Sequence, residues 1–290
     1  MFRVLKTEDW FHADGFPISV QRRDPQEPFG LHAHQFVELV IITGGRGLHV
    51  TGKESWPLAA GDVFVISGSR PHDYRNMDQL RLVNILYQPQ RLNLELNDLT
   101  TLPGYHALFT LEPAWRTRHR FNSRLHLSPA ELGVVMGLVD SLDEELKERS
   151  AGFGFMALSL FRQLVGYLSR CYGRSRNPDS RALLRIAETI THLETHFAIP
   201  INLDELARMA HMSKRSFIRA FRAATDQTPI AYLIQLRINR AAMLLRQAQD
   251  NITDIAFRVG FSDSNYFTRQ FRKLLGVSPR GYRQQHGVAG

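Results

Sequence analysis

The chain has 290 residues, of which 43% are apolar and 22% charged; these values favour two ordinary globular domains and exclude wholesale disorder. Its one cysteine, Cys171, excludes an internal disulfide and a CxxC zinc module, which suits a reducing cytoplasm. The first residues lack an unbroken apolar segment and no run approaches the ~18 apolar residues of a membrane span, so we expect neither a signal peptide nor a membrane helix.

The net charge of +8 comes from the C-terminal part of the sequence. Residues 181–290 hold 16 Lys and Arg against 8 Asp and Glu, whereas residues 1–180 hold 20 of each sign. A neutral domain followed by a basic one favours a polyanionic partner for the second domain. A solvated basic face without a partner is the alternative.

Residues 30–90 have the pattern of short strands. The segments "FVELVII" and "GLHVT" flank the glycine pair of "TGGR", which favours a hairpin turn, and "GDVFVIS" and "LRLVNILY" follow. Strands at such close spacing indicate a small β-barrel or sandwich.

Two amphipathic helices are predicted next, over residues 129–149 and 153–172. Ser128 suits the cap of the first helix, Pro129 its first position and Glu131 its positive N-terminal end. These helices either cap the barrel or pair with a second subunit, and we favour pairing.

A linker is predicted at residues 173–181, "GRSRNPDSR", because glycine, proline and polar residues dominate there. It divides the chain into an N-terminal domain at 1–172 and a C-terminal domain at 182–290.

The C-terminal domain contains two stretches with the same layout. In the first, a short helix near Leu203 leads through "HMS" to a helix that Ser213 can cap; in the second, "VGF" with Gly260 leads to a helix that Asp263 can cap. Each is predicted to be a helix-turn-helix unit, and a long helix over about 230–247 joins them. The apolar stripes of the second helices are predicted to be Phe217, Ile218 and Phe221, and Phe267, Phe271 and Leu274.

The outer faces of these second helices are polar and basic. The start of such a helix is where the motif meets base edges in the major groove, where arginine pairs with guanine and asparagine with adenine. Two helical hairpins in a core, without any DNA role, are the alternative.

Residues 252–283, "ITDIAFRVGFSDSNYFTRQFRKLLGVSPRGYR", resemble the signature of the AraC/XylS family of bacterial transcription regulators. The likeness covers the last ~100 residues, and the first unit keeps "LA…MSKRSFIRAFR". The matching elements are Ile255–Ala256, Val259–Gly260–Phe261, Tyr266–Phe267, Arg269, Phe271, Gly276, Ser278–Pro279 and Tyr282–Arg283.

The resemblance implies which residues contact DNA. Its base-contacting positions are Arg215, Arg219, Asp263 and Asn265, and the further candidates are Lys214, Ser264, Thr268 and Arg269. Asp263 has a second interpretation, because a helix cap explains an aspartate at this position fully.

The N-terminal half resembles the sensor half of the same family, and specifically its L-rhamnose regulators. The matching segments are "HAHQFVELVII", "GDVFVI" and "NILYQPQRL". The resemblance implies a cupin-like barrel, in agreement with the strand pattern.

The segment "HAHQFVE" has the spacing of the first cupin motif. His32, His34 and Glu38 lie on one face of a strand, and His72 in "RPHDY" offers a further imidazole. Imidazoles and a carboxylate suit zinc, nickel, iron or manganese. One ion requires the strand to bend or both side chains to lean, because His34 and Glu38 are ~13 Å apart along an extended strand. Alternatively, the four residues line the barrel and either hydrogen-bond a sugar or brace the fold.

The predicted fold is therefore α+β with two domains: a cupin-like β-barrel with two following helices, and an all-α domain with two helix-turn-helix units. The predicted protein is a bacterial, cytoplasmic, homodimeric transcription activator, not an enzyme. It binds promoter DNA, RNA polymerase and a small sugar such as L-rhamnose, and needs no cofactor beyond an optional divalent metal.

The alternatives are a metal-dependent cupin isomerase or dioxygenase with a DNA-binding tail, and a constitutive architectural DNA-binding protein.

Overall fold

The computed structural model describes residues 2–52, 54–67, 69–92, 98–115, 124–247 and 250–286. Internal contacts divide the chain into Met1–Ala187 and Glu188–Gly290. The first unit carries all the strands of the described residues, and the second unit is helical. This division confirms the two-domain α+β prediction at the level of architecture.

The first unit contains eight strands within the described residues. They are β1 (Arg3–Leu5), β2 (Ile18–Arg23), β3 (His32–His34), β4 (Val37–Thr51), β5 (Glu54–Ala59), β6 (Asp62–Ile66), β7 (Asp73–Tyr87) and β8 (Leu125–His126). Its α-helices are α1 (Thr7–Trp10), α2 (Pro89–Leu92), α3 (Pro103–Tyr105), α4 (Glu112–Trp115), α5 (Pro129–Glu148) and α6 (Phe153–Gly173), and a 3-10 turn at Leu99–Thr101 and a π-helix at His106–Leu111 lie among them.

The main sheet is antiparallel and follows the order β2-β7-β4-β6-β8, with β5 pairing with β4 beside this path. A separate parallel pair joins β1 and β3. Apolar side chains from β4, β5, β6 and β7 form a buried cluster on one part of the sheet, because branched and aromatic residues alternate along these strands. Over the described residues the hydrogen-bonded path ends at β2 and β8 without closing, so the closed barrel stays a prediction.

The hairpin turn predicted at Gly44–Gly45 is wrong, because β4 continues through these residues and pairs with β7 along its length. The pairing register shifts on both sides of Gly44 and again before Leu48. Gly45 has φ +69°, and a Cβ there would lie 1.9 Å from the carbonyl oxygen of Gln79 on β7. The glycines therefore permit bulges and a close approach of two strands. The chain reverses later, where Thr51 pairs with Glu54.

The predicted helices at 129–149 and 153–172 are confirmed as α5 and α6. The Ser128 side chain accepts from the Glu131 N–H at 3.3 Å, and the Glu131 carboxylate accepts from the Ser128 N–H at 3.0 Å, which completes a capping box. The buried stripes of the two helices pack against each other, and Arg22 of β2 donates to Asp143 of α5 at 2.8 Å.

Helix α7 (Pro178–Thr195) begins inside the predicted linker at 173–181. Pro178 opens this helix because its fixed φ suits a first turn whose N–H groups have no partner within the helix. The non-helical connection is Arg174–Asn177, and the division between the two units falls later, within α7.

The second unit continues with α8 (Leu203–Met209), α9 (Lys214–Thr225), α10 (Pro229–Gln247), α11 (Ile252–Arg258), α12 (Ser264–Leu275) and α13 (Pro279–His286). The pairs α8–α9 and α11–α12 repeat one arrangement, with α10 between them in the chain and packed against α9, α11 and α12. Gly260, at the turn between α11 and α12, has φ +95°, as the sequence predicts.

The inward stripes of α9 and α12 are confirmed at their phenylalanines and wrong at one leucine. Phe217, Phe221, Phe267 and Phe271 are fully buried, whereas Leu274 is 38% exposed. The stripe of α12 advances in steps of four from Phe267 to Phe271, so the next inward position is Leu275, which packs against the core. Ile218 is half-buried.

No helix in the described parts of the chain is long and apolar enough to span a membrane.

Candidate functional site

A cavity lies on one face of the sheet in the first unit, with about 40 Å³ of space open to the centre of a water-sized sphere. Aromatic and polar side chains share its wall, as is common where a protein holds a small polar ligand. The wall consists of Leu5, Trp10, Gln21, Arg23, Gln26, Phe29, His32, His34, Phe36, Glu38, Tyr74, Asn84 and Leu86.

The register of β2, β7 and β4 explains which side chains reach this cavity. Gln21 pairs with Asn84, and Glu38 pairs with Leu86, so these residues lie at alternate positions on one face of the sheet. The sequence analysis missed Gln21, Arg23 and Asn84. Their signal was a polar residue at every second position of β2 and a single asparagine inside the apolar run of β7.

His34 and Glu38 approach each other because the chain bends between them. β3 ends at His34 and β4 begins at Val37, so residues 35 and 36 interrupt the extended strand. The bend brings His34 Nε2 to 3.2 Å from Glu38 Oε2. In an extended strand the Cα atoms of the two residues would be ~13 Å apart and their side chains would not meet.

His72 joins these residues through a backbone bridge to His32. The His32 N–H donates to the His72 carbonyl at 3.0 Å, and the His72 N–H donates to the His32 carbonyl at 2.8 Å. His72 Nε2 then lies 3.3 Å from the same Glu38 oxygen. The three ligand atoms of His34, Glu38 and His72 lie within 4.8 Å of one another. We call this set of three residues the HEH cluster.

The HEH cluster is buried: His34 is 2%, Glu38 4% and His72 0% exposed. Burial raises the pKa of Glu38, but the side chains of His34 and His72 lower it by more, so the pKa lies well below its usual range. A carboxylate that stays ionised inside a protein needs positive charge or hydrogen-bond donors beside it.

The fourth predicted residue, His32, lies beside the cluster rather than within it. Its Nδ1 faces the Gly30 carbonyl at 2.8 Å, and its ring centroid is 4.2 Å from that of His72. Burial, and next the neighbouring His72, lower the pKa of His32. The structure therefore places His32 on the cavity wall and brings three of the four predicted residues together.

In the second unit, α9 begins with basic residues. The Ser213 side chain accepts from the Ser216 N–H at 3.3 Å and caps the helix, and Lys214 and Arg215 follow in the first turn. Cations at this end oppose the helix dipole, so the stability of α9 itself does not explain them. Lys214 pairs with Asp204 of α8 at 3.0 Å, and Arg219 is exposed one turn after Arg215.

Helix α12 also begins with a side-chain cap, and it carries the other residues that are predicted to contact DNA. The Asp263 carboxylate accepts from the Asn265 N–H at 2.7 Å, so this side chain is a helix cap. Asn265, Thr268 and Arg269 are exposed and Ser264 is half-buried. The Thr268 hydroxyl donates to the Ser264 carbonyl at 2.9 Å. The exposed amide and guanidinium groups of α12 thus lie on its outer face.

Comparison with protein families finds a match in each unit. Residues 18–138 match the family model of the AraC-like ligand binding domain, and residues 206–285 match a helix-turn-helix domain.

Two curated relatives match the chain over nearly its whole length. The chain is 32% identical over 285 residues to the HTH-type transcriptional activator RhaR of Enterobacter sp. (strain 638), a match that covers 97% of this chain and 96% of the relative. It is 33% identical over 282 residues to RhaR of Escherichia coli (strain UTI89 / UPEC), with coverage of 97% and 96%. Among solved structures, the DNA-binding domain of AdpA in complex with a target DNA is 33% identical, covering 35% of this chain and 91% of that one with a TM-score of 0.34.

Proposed function

Because the chain belongs to the AraC family of transcription regulators, we propose that it is a transcription activator that binds duplex DNA in response to a small sugar. The single observation that carries the proposal is the pair of capped, outward-facing helix starts on α9 and α12, which follow short helices in the same arrangement.

The DNA contacts of this proposal come from two helix-turn-helix units, α8–α9 and α11–α12. Arg215 and Arg219 read bases from α9, and Asn265 does so from α12, because guanidinium and amide groups match the hydrogen-bonding edges of guanine and adenine. Lys214, Ser264, Thr268 and Arg269 contact phosphates or neighbouring bases. Asp263 orients α12 as its cap. The two helices enter successive major grooves, ~34 Å apart on one face of the duplex.

The effector of this proposal binds in the cavity of the first unit. Trp10 and Phe29 offer flat apolar faces for the ring of a sugar, and Gln21, Arg23 and Asn84 offer groups for its hydroxyls. Asn84 Oδ1 is buried and, among the described residues, has no hydrogen-bond partner. The curated relatives carry the name RhaR, and the sequence resembles L-rhamnose regulators, so L-rhamnose is the first sugar to test.

Further parts of the proposal concern assembly. The sheet of the first unit closes into a cupin-like barrel, α5 and α6 pair with a second copy of the chain, and the DNA-bound dimer contacts RNA polymerase in the bacterial cytoplasm. Val134 on α5 and Phe155 and Met156 on α6 are exposed apolar residues that suit such pairing. Their removal should convert a dimer to a monomer in sedimentation experiments.

The test of the proposed function uses the full chain with and without L-rhamnose. Selection from random duplexes should enrich one sequence, and a reporter placed behind that sequence should respond to the sugar. L-rhamnose should also raise the melting temperature, because a ligand of the folded state stabilises it. A chain that enriches no sequence at moderate salt contradicts the DNA-binding part. A chain that binds DNA but responds to no sugar contradicts the effector part alone.

A metal-dependent enzyme with a DNA-binding tail is the second candidate, and the HEH cluster is the observation that favours it. Three protein ligands leave an open position, which a metal enzyme also needs. Conversion of L-rhamnose into an isomer or an oxidised product by the metal-loaded chain would support this candidate. We infer instead that the cavity binds its sugar without converting it.

A further inference from the structure

We propose that the HEH cluster binds one divalent transition-metal ion per chain and that this ion holds the effector through two neighbouring hydroxyl groups. The first half of this inference stands on the geometry of His34, Glu38 and His72 alone. The second half rests on the proposed function, because it requires a sugar in the cavity.

The distances within the HEH cluster are those of a metal site. Metal–ligand bonds of ~2.0–2.2 Å arranged as a tetrahedron separate neighbouring ligand atoms by about 3.3 Å. His34 Nε2 and His72 Nε2 lie 3.2 and 3.3 Å from Glu38 Oε2. Two of the three ligand–ligand distances therefore already have the value that a tetrahedral ion requires.

The hydrogen positions on the two imidazoles leave their inner nitrogens available to a metal. His34 Nδ1 faces the Phe36 carbonyl at 2.6 Å, and His72 Nδ1 faces the Arg70 carbonyl at 3.3 Å. A carbonyl only accepts, so each Nδ1 donates its hydrogen; in the neutral imidazole, which is the form that binds a metal, each Nε2 then directs a lone pair at the space beside the Glu38 carboxylate. This arrangement, in which a backbone carbonyl fixes the outer nitrogen, is the usual one for metal-binding histidines.

The inner atoms lack another explanation in the described residues. His34 Nε2, His72 Nε2 and Glu38 Oε2 are buried, and within the described parts of the chain none makes a hydrogen bond of good geometry despite the short distances. Lone pairs that face one another repel, and buried polar atoms without partners are costly. A cation at the shared point removes both penalties.

In this proposal the open coordination position is on the cavity side of the cluster. His34 and Glu38 line the cavity wall, and Asn84, with its unpartnered Oδ1, lies on the same wall. Three protein ligands leave a tetrahedral ion one position for an external ligand, and expansion to five-coordination provides the second position that a pair of hydroxyl groups needs. Two nitrogens and one oxygen suit zinc, nickel, iron or manganese, and a sugar with adjacent hydroxyls chelates such an ion.

Metal binding is tested on the full-length chain. The protein is stripped with a chelator, dialysed, loaded separately with Zn²⁺, Ni²⁺, Mn²⁺ or Co²⁺, and analysed for metal content. We expect one ion per chain for at least one of these metals, and Co²⁺ should give the visible absorption of a low-coordinate site. Failure of every metal to bind stoichiometrically overturns the proposal, and this readout does not depend on any variant.

Variants identify the ligands. Glu38→Gln and His72→Gln should each abolish stoichiometric metal binding, whereas His32→Gln should keep it, because His32 lies beside the cluster. His106→Gln is the matched control, since His106 is also a buried histidine of the first unit and its ring nitrogen faces the Thr100 carbonyl. Circular dichroism and DNA binding report whether each variant folds. Unchanged metal binding by folded Glu38→Gln overturns the assignment.

The role of the ion is tested with L-rhamnose on metal-free and metal-loaded chains. We expect the sugar to raise the melting temperature of the loaded chain and to lose at least tenfold in affinity on the stripped chain. Equal sugar binding by both forms overturns the second half of the inference and leaves the proposed function intact. A chain that binds metal but no sugar keeps the metal site and removes the proposed effector.

Discussion

Arg219 lies on the exposed face of α9, one turn after Arg215, where a guanidinium can reach the edge of a guanine. Arg219→Ala should weaken binding to the selected DNA sequence by ~1–3 kcal/mol and binding to random DNA by much less. Fluorescence anisotropy with both duplexes at one salt concentration measures the difference.

The control for Arg219 is Arg208→Ala, which removes an equal charge from the exposed end of α8. We expect this variant to affect the two duplexes alike. If Arg219→Ala also loses affinity equally for both duplexes, Arg219 is a phosphate contact and does not read the sequence.

Asp263 accepts the Asn265 N–H, so its role as a cap can be separated from a role in base recognition. Asp263→Ala should lower the free energy of unfolding by ~0.5–2 kcal/mol, whereas Asp263→Ser should keep most of it, because serine also caps helices well. Denaturant unfolding of both variants measures the cost.

The selectivity of the same two variants for DNA completes this test. We expect Asp263→Ser to prefer the same DNA sequence as the parent chain. A changed preference at one base pair would give Asp263 a direct contact in addition to the cap.

At the scale of elements, the helices were predictable because the signals that begin them are local. Ser128, Ser213 and Asp263 cap their helices through N–H groups two or three residues away, and the sequence contains both partners of each bond. Leu274 was wrongly predicted to face inward because residues three and four positions after Phe271 both lie near the same face of a helix. Only packing against the core selects Leu275.

The strands and the cavity were less predictable because their partners are distant in sequence. The glycine pair at residues 44 and 45 has the composition of a turn, but its conformation is determined by Gln79 on β7. His34 and Glu38 were predicted to share a face, yet their contact depends on the bend at residues 35 and 36. His72 joins them through a backbone bridge to His32, which side-chain patterns do not indicate.

Gly45 provides a test of this close approach between strands. Gly45→Ala should destabilise the first unit by more than the ~1–3 kcal/mol of an unfavourable φ, because its Cβ would also overlap the Gln79 carbonyl. Thermal unfolding of the full chain, with a probe in each unit, measures the loss.

Gly52→Ala is the matched control, since Gly52 has φ +61° but a Cβ there meets no atom within 4 Å. Gly52→Ala should lower the free energy of unfolding only by the cost of a positive φ for alanine. Equal destabilisation by the two variants would mean that the strand contact at Gly45 relaxes without cost.

At the scale of the whole molecule, charge and structure divide the chain in nearly the same place. The excess of basic residues begins at Arg181, and the contact division falls between Ala187 and Glu188. A fragment of residues 178–290 should therefore fold and bind the selected sequence without any sugar. Its affinity for DNA should fall steeply with salt. Each phosphate that the protein neutralises contributes about −0.9 to the slope of the logarithm of the binding constant against the logarithm of the salt concentration.

The complementary fragment, residues 1–174, is the control and should bind the sugar but not DNA. Loss of sequence preference in the 178–290 fragment would mean that recognition requires the first unit. A shallow salt dependence would argue against a basic surface that contacts phosphates.

β4 exchanges its outer partner along its length: Glu38–Ile41 pair with β6, Arg46–Thr51 pair with β5, and β7 accompanies both halves on the other side. Both halves of the sheet depend on β4. If one end of β4 separates from its partners, the pairing of its other end is weakened too. Glu38, at the beginning of the strand, therefore connects whatever occupies the cavity to the hairpin at the far end. Occupancy at that carboxylate would slow the opening of amides many residues away, and a local binding event would become a property of the entire sheet.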